Sequence, residues 1–251
     1  MTDPAYLSRL DGERVAHRRT PGSGPGILWL GGFRSDMNGT KAEHLAAWAE
    51  RNGRPFLRFD YFGHGASSGA FEDGTISRWR DDALAVLDAL TEGPQILVAS
   101  SMGGWIATLL AEARPERIAA MVLIAPAPDL TEVLMWDRMP PDVRRAIAED
   151  GFWQYQPDGA DGYPITRALI EDGRNCLVLG KTINAPGPVR ILHGDADQDV
   201  PWQHGLRLMD VLTGDVTFTL VKGADHRLST AANLALIVRT VESVLKDLES
   251  C

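Results

Sequence analysis

One serine, Ser101, stands between a predicted strand and a predicted helix, and this junction constrains the fold more than any other stretch of the chain. Residues 95–99 are apolar enough for a buried strand, and residues 102–113 follow a helical pattern. A sharp strand-to-helix turn holds a serine hydroxyl clear of the sheet. Such a turn needs small residues two positions before and two positions after the serine, and these are Ala99 and Gly103. The segment is predicted to be a nucleophile elbow.

Alanine at position 99 replaces the first glycine of the usual Gly-x-Ser-x-Gly pattern. The replacement is tolerable if the backbone at Ala99 keeps a negative φ, because only a positive φ would favour glycine there. The alternative interpretation of the pentapeptide is an ordinary turn in which serines cap the helix.

Apolar β-branched runs alternate with amphipathic segments from about residue 26 to the end, which predicts an α/β fold: a mostly parallel sheet flanked by helices. The predicted strands are residues 26–30, 55–59, 95–99, 118–125, 189–193 and 216–221, with an antiparallel edge strand at 13–18. The predicted helices are residues 40–51, 76–90, 102–113, 202–211 and 231–248. A chain of 251 residues with 44% hydrophobic content is expected to form one domain over residues 1–251.

Charge and cysteine content exclude several classes of function. The net charge of −9 argues against nucleic acid or an anionic membrane as the main partner. Only Cys176 and Cys251 are present, so neither a disulfide framework nor a thiolate metal site is indicated. No apolar signal core stands at the N-terminus, and no stretch is long enough for stable membrane insertion, so a cytoplasmic location is expected.

One interval interrupts the alternation of strands and helices. Residues 127–186 are far more numerous than an ordinary connection requires and are rich in aromatic side chains. We expect a helical lid over the site. Its residues Trp136, Phe152 and Trp153 are predicted to line an apolar acyl pocket, although the same aromatics could form only a small core of the insertion.

The serine needs a base, and His226 is the histidine best placed to be one. It follows the last predicted strand, where parallel sheets carry their reactive side chains. His64 is the main competitor, but its place between Gly63 and Gly65 suits a backbone turn better. His204 is expected to open a surface helix, and the remaining histidines have structural interpretations.

A third group must orient the base, and in this architecture it lies between the serine and the histidine in the chain. The loop after residue 193 offers three acids, which the sequence alone barely separates. Asp195 can brace the turn, and Asp199 can cap the helix that begins near Pro201. Asp197 is then the acid that orients His226 and stabilises its imidazolium.

An oxyanion formed at the attacked carbonyl also needs donors, each worth roughly 3 to 4 kcal/mol. The backbone amides of Met102 and Phe33 are the candidates. Met102 follows the serine, and Phe33 follows Gly31 and Gly32 at the end of the first buried strand, where glycines allow a close approach. A plain turn is the alternative for the two glycines.

Four blocks of sequence extend this pattern to a family resemblance: residues 32–42, 58–65, 93–105 and 193–202. They resemble the mitochondrial abhydrolase-domain family of palmitoyl-protein thioesterases and acyl-glucuronide esterases, with its bacterial relatives. The resemblance implies an α/β-hydrolase fold over nearly the whole chain. It also implies that Ser101, Asp197 and His226 are nucleophile, acid and base, and that Phe33 and Met102 are the oxyanion donors. Two departures limit it, which are Ala99 and the absence of the family's mitochondrial leader.

The expected activity is cleavage of carboxylic esters or thioesters through an acyl-enzyme, on a small-molecule ester, an acyl thioester or an acylated protein. No metal or organic cofactor is expected, because the triad supplies nucleophile, base and acid. The alternatives are a catalytically silent binding protein with this fold, or an acyltransferase or carbon–carbon bond hydrolase with the same triad. The leaving group, the acyl length and the oligomeric state stay open.

Overall fold

A single large sheet forms the centre of the protein in the computed structural model, which describes residues 3–156 and 161–250. The strands are β1 (Ala5–Ser8), β2 (Arg14–Thr20), β3 (Gly26–Leu30), β4 (Phe56–Phe59), β5 (Gln95–Ser100), β6 (Ile118–Ile124), β7 (Phe152–Tyr155), β8 (Tyr163–Thr166), β9 (Ile183–Asn184), β10 (Val189–Gly194), β11 (Leu212–Thr213) and β12 (Val216–Val221). The α-helices are α1 (Thr40–Arg51), α2 (Ile76–Leu90), α3 (Met102–Ala113), α4 (Pro141–Asp150), α5 (Arg167–Gly173), α6 (Trp202–Val211) and α7 (Ala231–Glu249).

Eight of these strands build the large sheet in the order β1-β2-β4-β3-β5-β6-β10-β12. Its pairings are parallel except at β2, which runs antiparallel to both β1 and β4. The predicted α/β architecture is therefore confirmed. The edge position predicted for the antiparallel strand is wrong, because β1 lies outside β2. The short β1 is mostly exposed and has no buried apolar run that a sequence pattern could reveal.

Two apolar layers cover the faces of the sheet. Helices α2, α3 and α6 pack on one face, where Trp79 and Trp105 are fully buried, and helices α1 and α7 pack on the other. The parallel strands all end at the same edge of the sheet, so the loops after β3, β5, β10 and β12 converge there. This edge is where the sequence predicts the site.

The segment 127–186 contains more than helices. A π-helical turn (Leu130–Met135), α4 and α5 are joined by an antiparallel hairpin of β7 and β8. The predicted helical insertion thus also carries a short antiparallel sheet, and its role as a lid stays a prediction. Phe152 and Trp153 lie on a strand of this hairpin, where alternate side chains face opposite sides. Further along, β9 pairs with β11 beside the main sheet.

None of the helices in the described part of the chain combines the length and the apolar character needed to cross a bilayer.

Candidate active site

The turn between β5 and α3 holds Ser101 in a strained conformation. Its φ is 55° and its ψ is −120°, a region that side-chain-bearing residues rarely adopt. Gly103 lies so close to β3 that a Cβ atom there would collide with the carbonyl oxygen of Leu30. The structure thus explains the need for a small residue after the serine, and Ser101 itself stays partly exposed at the end of a buried strand.

Ala99 occupies an ordinary strand position. It is fully buried in β5, paired with Leu30 of β3 and Leu123 of β6, and its φ is not positive. The condition under which alanine can replace glycine is therefore met, and the strain of the turn is confined to the serine.

Three side chains from three loops form one hydrogen-bonded chain. The Nδ1 atom of His226 is 2.8 Å from Oδ2 of Asp197, and its Nε2 atom is 3.1 Å from Oγ of Ser101. A carboxylate can only accept, so Nδ1 carries the ring proton and Nε2 accepts the proton of the serine hydroxyl. The arrangement can remove a proton from Ser101 and hold the resulting imidazolium against a carboxylate.

Asp197 is buried and fully engaged by donors. Its Oδ1 accepts the backbone N–H groups of Asp199 at 3.0 Å and Val200 at 2.8 Å. Burial alone would raise its pKa, but hydrogen bonds from His193 and His226 outweigh that effect and hold the pKa of Asp197 well below its usual range. The carboxylate is therefore ionised at neutral pH, as a partner for a protonated histidine must be.

The two neighbouring acids have different tasks. Asp195 accepts from the backbone of Gly223 and from the ammonium of Lys222 at 2.9 Å, so it braces the two loops as the sequence suggested. The prediction that Asp199 caps α6 is wrong. The residue at the N-cap position is Pro201, and no side chain caps that helix end.

The competing histidine His64 is occupied by backbone groups. Its Nδ1–H donates to the carbonyl of Phe62 at 3.0 Å, and its Nε2 accepts the N–H of Arg34 at 3.1 Å. Burial lowers the pKa of His64, which keeps Nε2 free as an acceptor. His64 thus supports the loop after β3. His204, expected on a surface helix, is buried and bonded to the carbonyl of Pro128.

The loop after β3 lies against the nucleophile. A Cβ atom on Gly32 would be 3.4 Å from the Cβ atom of Ser101, so the loop passes at van der Waals distance. Phe33 follows with its ring packed edge-on against Phe71 at 5.1 Å and Trp79 at 5.8 Å. The two segments predicted to carry the oxyanion donors, at Phe33 and at Met102, therefore flank the serine.

A cavity of about 360 Å³ opens at Ser101 and His226. Three cations line it, Arg34, Lys41 and Arg227, and no acidic residue does so in the described part of the chain. Lys41 donates to the carbonyl of Arg227 at 2.6 Å, and burial lowers its pKa to about 8. The immediate surroundings of the nucleophile are thus polar and basic, in a chain whose net charge is −9.

The three aromatic residues predicted to bind the acyl group lie on the 127–186 segment and do not line this cavity. Trp136 has the guanidinium groups of Arg144 and Arg174 over its ring at 5.5 Å and 5.0 Å. Phe152 is 49% exposed, and Trp153 packs into a small separate cluster. Their contact with an acyl chain stays a prediction.

Tyr163, on the same segment, contacts the site and is not among the site residues predicted from the sequence. Its ring lies 5.7 Å from that of Phe33, and the guanidinium of Arg34 stacks over it at 4.1 Å. Arg34 also donates to the carbonyl of Asp161 at 3.3 Å. More than a hundred residues of chain separate Phe33 from Tyr163, so no local pattern could reveal the pair.

Ligand atoms of Asp197, Asp199 and His226 lie within 4.8 Å of one another, close enough for a metal ion. However, Nδ1 of His226 and both oxygens of Asp197 are already joined by hydrogen bonds to protein groups. The cluster is therefore better described as a hydrogen-bonded acid and base than as a metal centre.

Comparison with known proteins places this site in a recognised sequence context. Residues 32–149 match the family model described as serine aminopeptidase, S33. The mitochondrial palmitoyl-protein thioesterase ABHD10 of Bos taurus is 37% identical over 99% of this chain and 82% of its own length. The human protein of the same name is 35% identical over the same share of this chain.

Solved structures agree over the full length. The crystal structure of a putative hydrolase from Agrobacterium vitis superimposes with a TM-score of 0.92. The two sequences are 41% identical, and the alignment covers 98% of each chain. The mouse α/β hydrolase domain-containing protein 10 gives a TM-score of 0.90 at 35% identity, over 98% of this chain and 100% of that one.

The cytoplasmic location expected from the sequence is wrong by these comparisons. The relatives that align with 98% to 99% of this chain are named as mitochondrial proteins.

Proposed function

The chain belongs to the α/β-hydrolase family of the ABHD10 palmitoyl-protein thioesterases and is a serine hydrolase of esters or thioesters, and on that premise we propose its catalytic groups. Ser101 is the nucleophile, His226 the base and Asp197 the acid that orients it. The observation that carries this assignment is the unbroken hydrogen-bonded chain from Ser101 Oγ through His226 to Asp197. A catalytically silent binding protein, the main alternative from the sequence, is not retained.

The reaction proceeds in two halves. The Nε2 atom of His226 takes the hydroxyl proton while Oγ of Ser101 attacks the carbonyl carbon of the substrate. The tetrahedral intermediate collapses as His226 returns the proton to the departing alkoxide or thiolate, which leaves an acyl-serine. Water then attacks the acyl carbon while His226 takes its proton. The bond from that carbon to Oγ of Ser101 breaks, His226 returns the proton to Oγ, and the carboxylic acid is released.

The charge on the carbonyl oxygen is stabilised by the backbone N–H groups of Phe33 and Met102. Met102 is the first residue of α3, where the helix dipole adds a favourable potential for an anion. On the other side, the bond from Arg34 N–H to His64 and the packing of the Phe33 ring support the loop that carries the second donor. Preformed donors of this kind need no reorganisation during the reaction.

Residues 127–186 act as a lid in this proposal. Trp136, Phe152 and Trp153 are kept as acyl-pocket candidates, and Tyr163 is added because it touches Phe33. Alanine at each position should change the preference among acyl chain lengths. If a variant keeps the chain-length preference of the native enzyme, the replaced residue does not line the acyl pocket.

A serine-directed fluorophosphonate probe tests the nucleophile. We expect labelling of the native protein and none of Ser101→Ala, with Ser8→Ala on the exposed strand β1 as the matched control that still labels. Undiminished labelling of Ser101→Ala would reject the assignment.

The substrate class is tested by a panel of short and long acyl esters, thioesters and acyl glucuronides at matched concentration. The relatives named as palmitoyl-protein thioesterases favour acyl thioesters, including acylated proteins, as substrates. Product analysis in the presence of an added alcohol distinguishes hydrolysis from acyl transfer, because only a transferase converts the alcohol into an ester in preference to the free acid.

A further inference from the structure

A second histidine, His193, contacts the acid of the site and has no part in the reaction described above. It lies in β10 (Val189–Gly194) and is fully buried. Its Nε2 atom is 3.2 Å from Oδ2 of Asp197, the same oxygen that accepts from His226, and 2.9 Å from the carbonyl oxygen of Val200. Both neighbours can only accept, so Nε2 carries a proton that they share.

The ring of His193 is held in place by packing. Phe218 of β12 stacks on it with the ring centroids 6.1 Å apart. On the other side, α6 approaches through Gly205, where a Cβ atom would lie 2.6 Å from Nδ1 of His193. That Nδ1 atom is buried and has no hydrogen-bond partner among the described residues. The ring is therefore fixed with its donor aimed at Asp197.

We propose that His193 is a positioning residue of the reaction, whose Nε2–H fixes Oδ2 of Asp197 toward His226 and shares the negative charge of that oxygen. The inference rests on the proposed roles of Asp197 and His226. His193 is the fourth donor to the carboxylate of Asp197. Two backbone N–H groups donate to Oδ1 and two histidines donate to Oδ2, and together they fix the orientation of the carboxylate.

Loss of the His193 donor has two consequences with different readouts. The carboxylate keeps one donor on Oδ2, so it can turn away from the geometry that holds His226, which lowers kcat more than it changes KM. The charge on Oδ2 is then shared with His226 alone. That charge favours the protonated, inactive imidazolium, so activity is lost at a higher pH on the acid side of the profile.

Other charged and titratable groups surround the pair. They are Asp199 beside Asp197, His204 and Arg207 of α6 on the side of His193, and Lys41, Asp225 and Arg227 on the side of His226. Burial lowers the pKa of His204 to about 4, so it stays uncharged across the working range. All six are unchanged when His193 is replaced, so they cancel when two variants at that position are compared.

The test compares His193→Gln with His193→Met. These side chains have nearly the same shape, but only glutamine offers an N–H donor near the position of Nε2. Measured from pH 5 to 9, His193→Met is expected to lose about tenfold in kcat with little change in KM, which is ~1.4 kcal/mol. The pH at which its activity falls on the acid side of the profile, here called the acid limb, should rise by about half a pH unit. His193→Gln should keep both the rate and the limb close to those of the native enzyme.

A second control separates a positioning role from packing. His204→Gln replaces another buried histidine, on α6, that bonds to Pro128 and not to Asp197. Its acid limb should stay in place even if its melting temperature falls. The same kcat and pH profile in His193→Gln and His193→Met would overturn the proposal. Such a result differs from a failure of the proposed function, in which Ser101→Ala would stay labelled and active.

Discussion

At the scale of single residues, hydrogen-bond partners fix the role of each ring nitrogen of His64 and His226. His64 shows this well, because one ring nitrogen donates to Phe62 and the other accepts from Arg34. Chain order and position after a strand predicted which serine, acid and histidine would meet. The finer assignments failed where they depended on local propensity, as for Asp199, whose N–H binds Asp197 while Pro201 occupies the helix N-cap.

His204 makes folding dependent on pH. Burial depresses its pKa to about 4, against about 6.5 in an unfolded chain. Between these values the unfolded state binds more protons, so stability is full above pH ~6.5 and is lost as the pH falls toward 4. We expect the advantage of the native protein over His204→Gln in free energy of unfolding to shrink by about 3 kcal/mol over this range. Urea unfolding at pH 7 and pH 4.5 measures it, and an advantage that does not vary with pH would contradict the prediction.

At the scale of elements, the parallel sheet and the helices that flank it could be predicted from the sequence. Helices α1, α2, α3 and α6 begin and end where the 3.6-residue pattern of apolar residues predicted. The strands of the 127–186 segment could not be predicted in the same way. The pattern of its aromatic residues is compatible with a helix and with a hairpin, and only the pairing of the strands distinguishes the two. Tyr155 and Tyr163 are paired across that hairpin, a contact that no periodicity in the sequence encodes.

The elbow tolerates a change at one flank and not at the other. Gly103→Ala adds a Cβ atom that collides with the backbone of β3, so a loss of at least 3 kcal/mol in unfolding free energy, about the top of the usual range for overpacking, is expected. Ala99→Gly removes a buried methyl from an ordinary strand position and should cost about 1 kcal/mol. Equal melting temperatures for the two variants would show that the close approach of α3 to β3 does not limit this turn.

The hairpin of β7 and β8 supports the oxyanion loop through Tyr163. Tyr163→Ala removes the ring from both Phe33 and Arg34, and we expect kcat/KM to fall about tenfold because the donor at Phe33 is less well fixed. Tyr163→Phe keeps both ring contacts and should stay within about twofold of the native enzyme. If the two variants lose activity equally, the hydroxyl group and not the ring is the important part.

At the scale of the whole molecule, charge is distributed unevenly. The protein carries a net charge of −9, yet the cavity at Ser101 is lined by Arg34, Lys41 and Arg227. The net charge argued against nucleic acid or an anionic membrane as a partner and could not reveal this local reversal, because the three cations come from separate segments of the chain. A basic cleft in an acidic surface raises the local concentration of anions.

The salt dependence of kcat/KM tests the effect of these three cations on anionic substrates. For an ester with an anionic leaving group, kcat/KM should fall several-fold between about 20 mM and about 500 mM salt, since the Debye length shortens from tens of ångströms to a few. A neutral ester with the same acyl group should hardly respond. Arg34→Gln and Arg227→Gln should each weaken the dependence, whereas Arg239→Gln, exposed on α7, should not. Identical salt profiles for the two esters would contradict the prediction.

The hairpin of β7 and β8 can be exchanged between related proteins because its two ends lie close together. Gly151 ends α4 with a φ of 88°, and its carbonyl oxygen accepts the N–H of Arg167, the first residue of α5, at 2.8 Å. The two ends of the hairpin therefore meet across one hydrogen bond. Chimaeras that exchange residues 152–166 between relatives can keep both junctions intact, so substrate preference can be recombined without rebuilding the sheet or the triad.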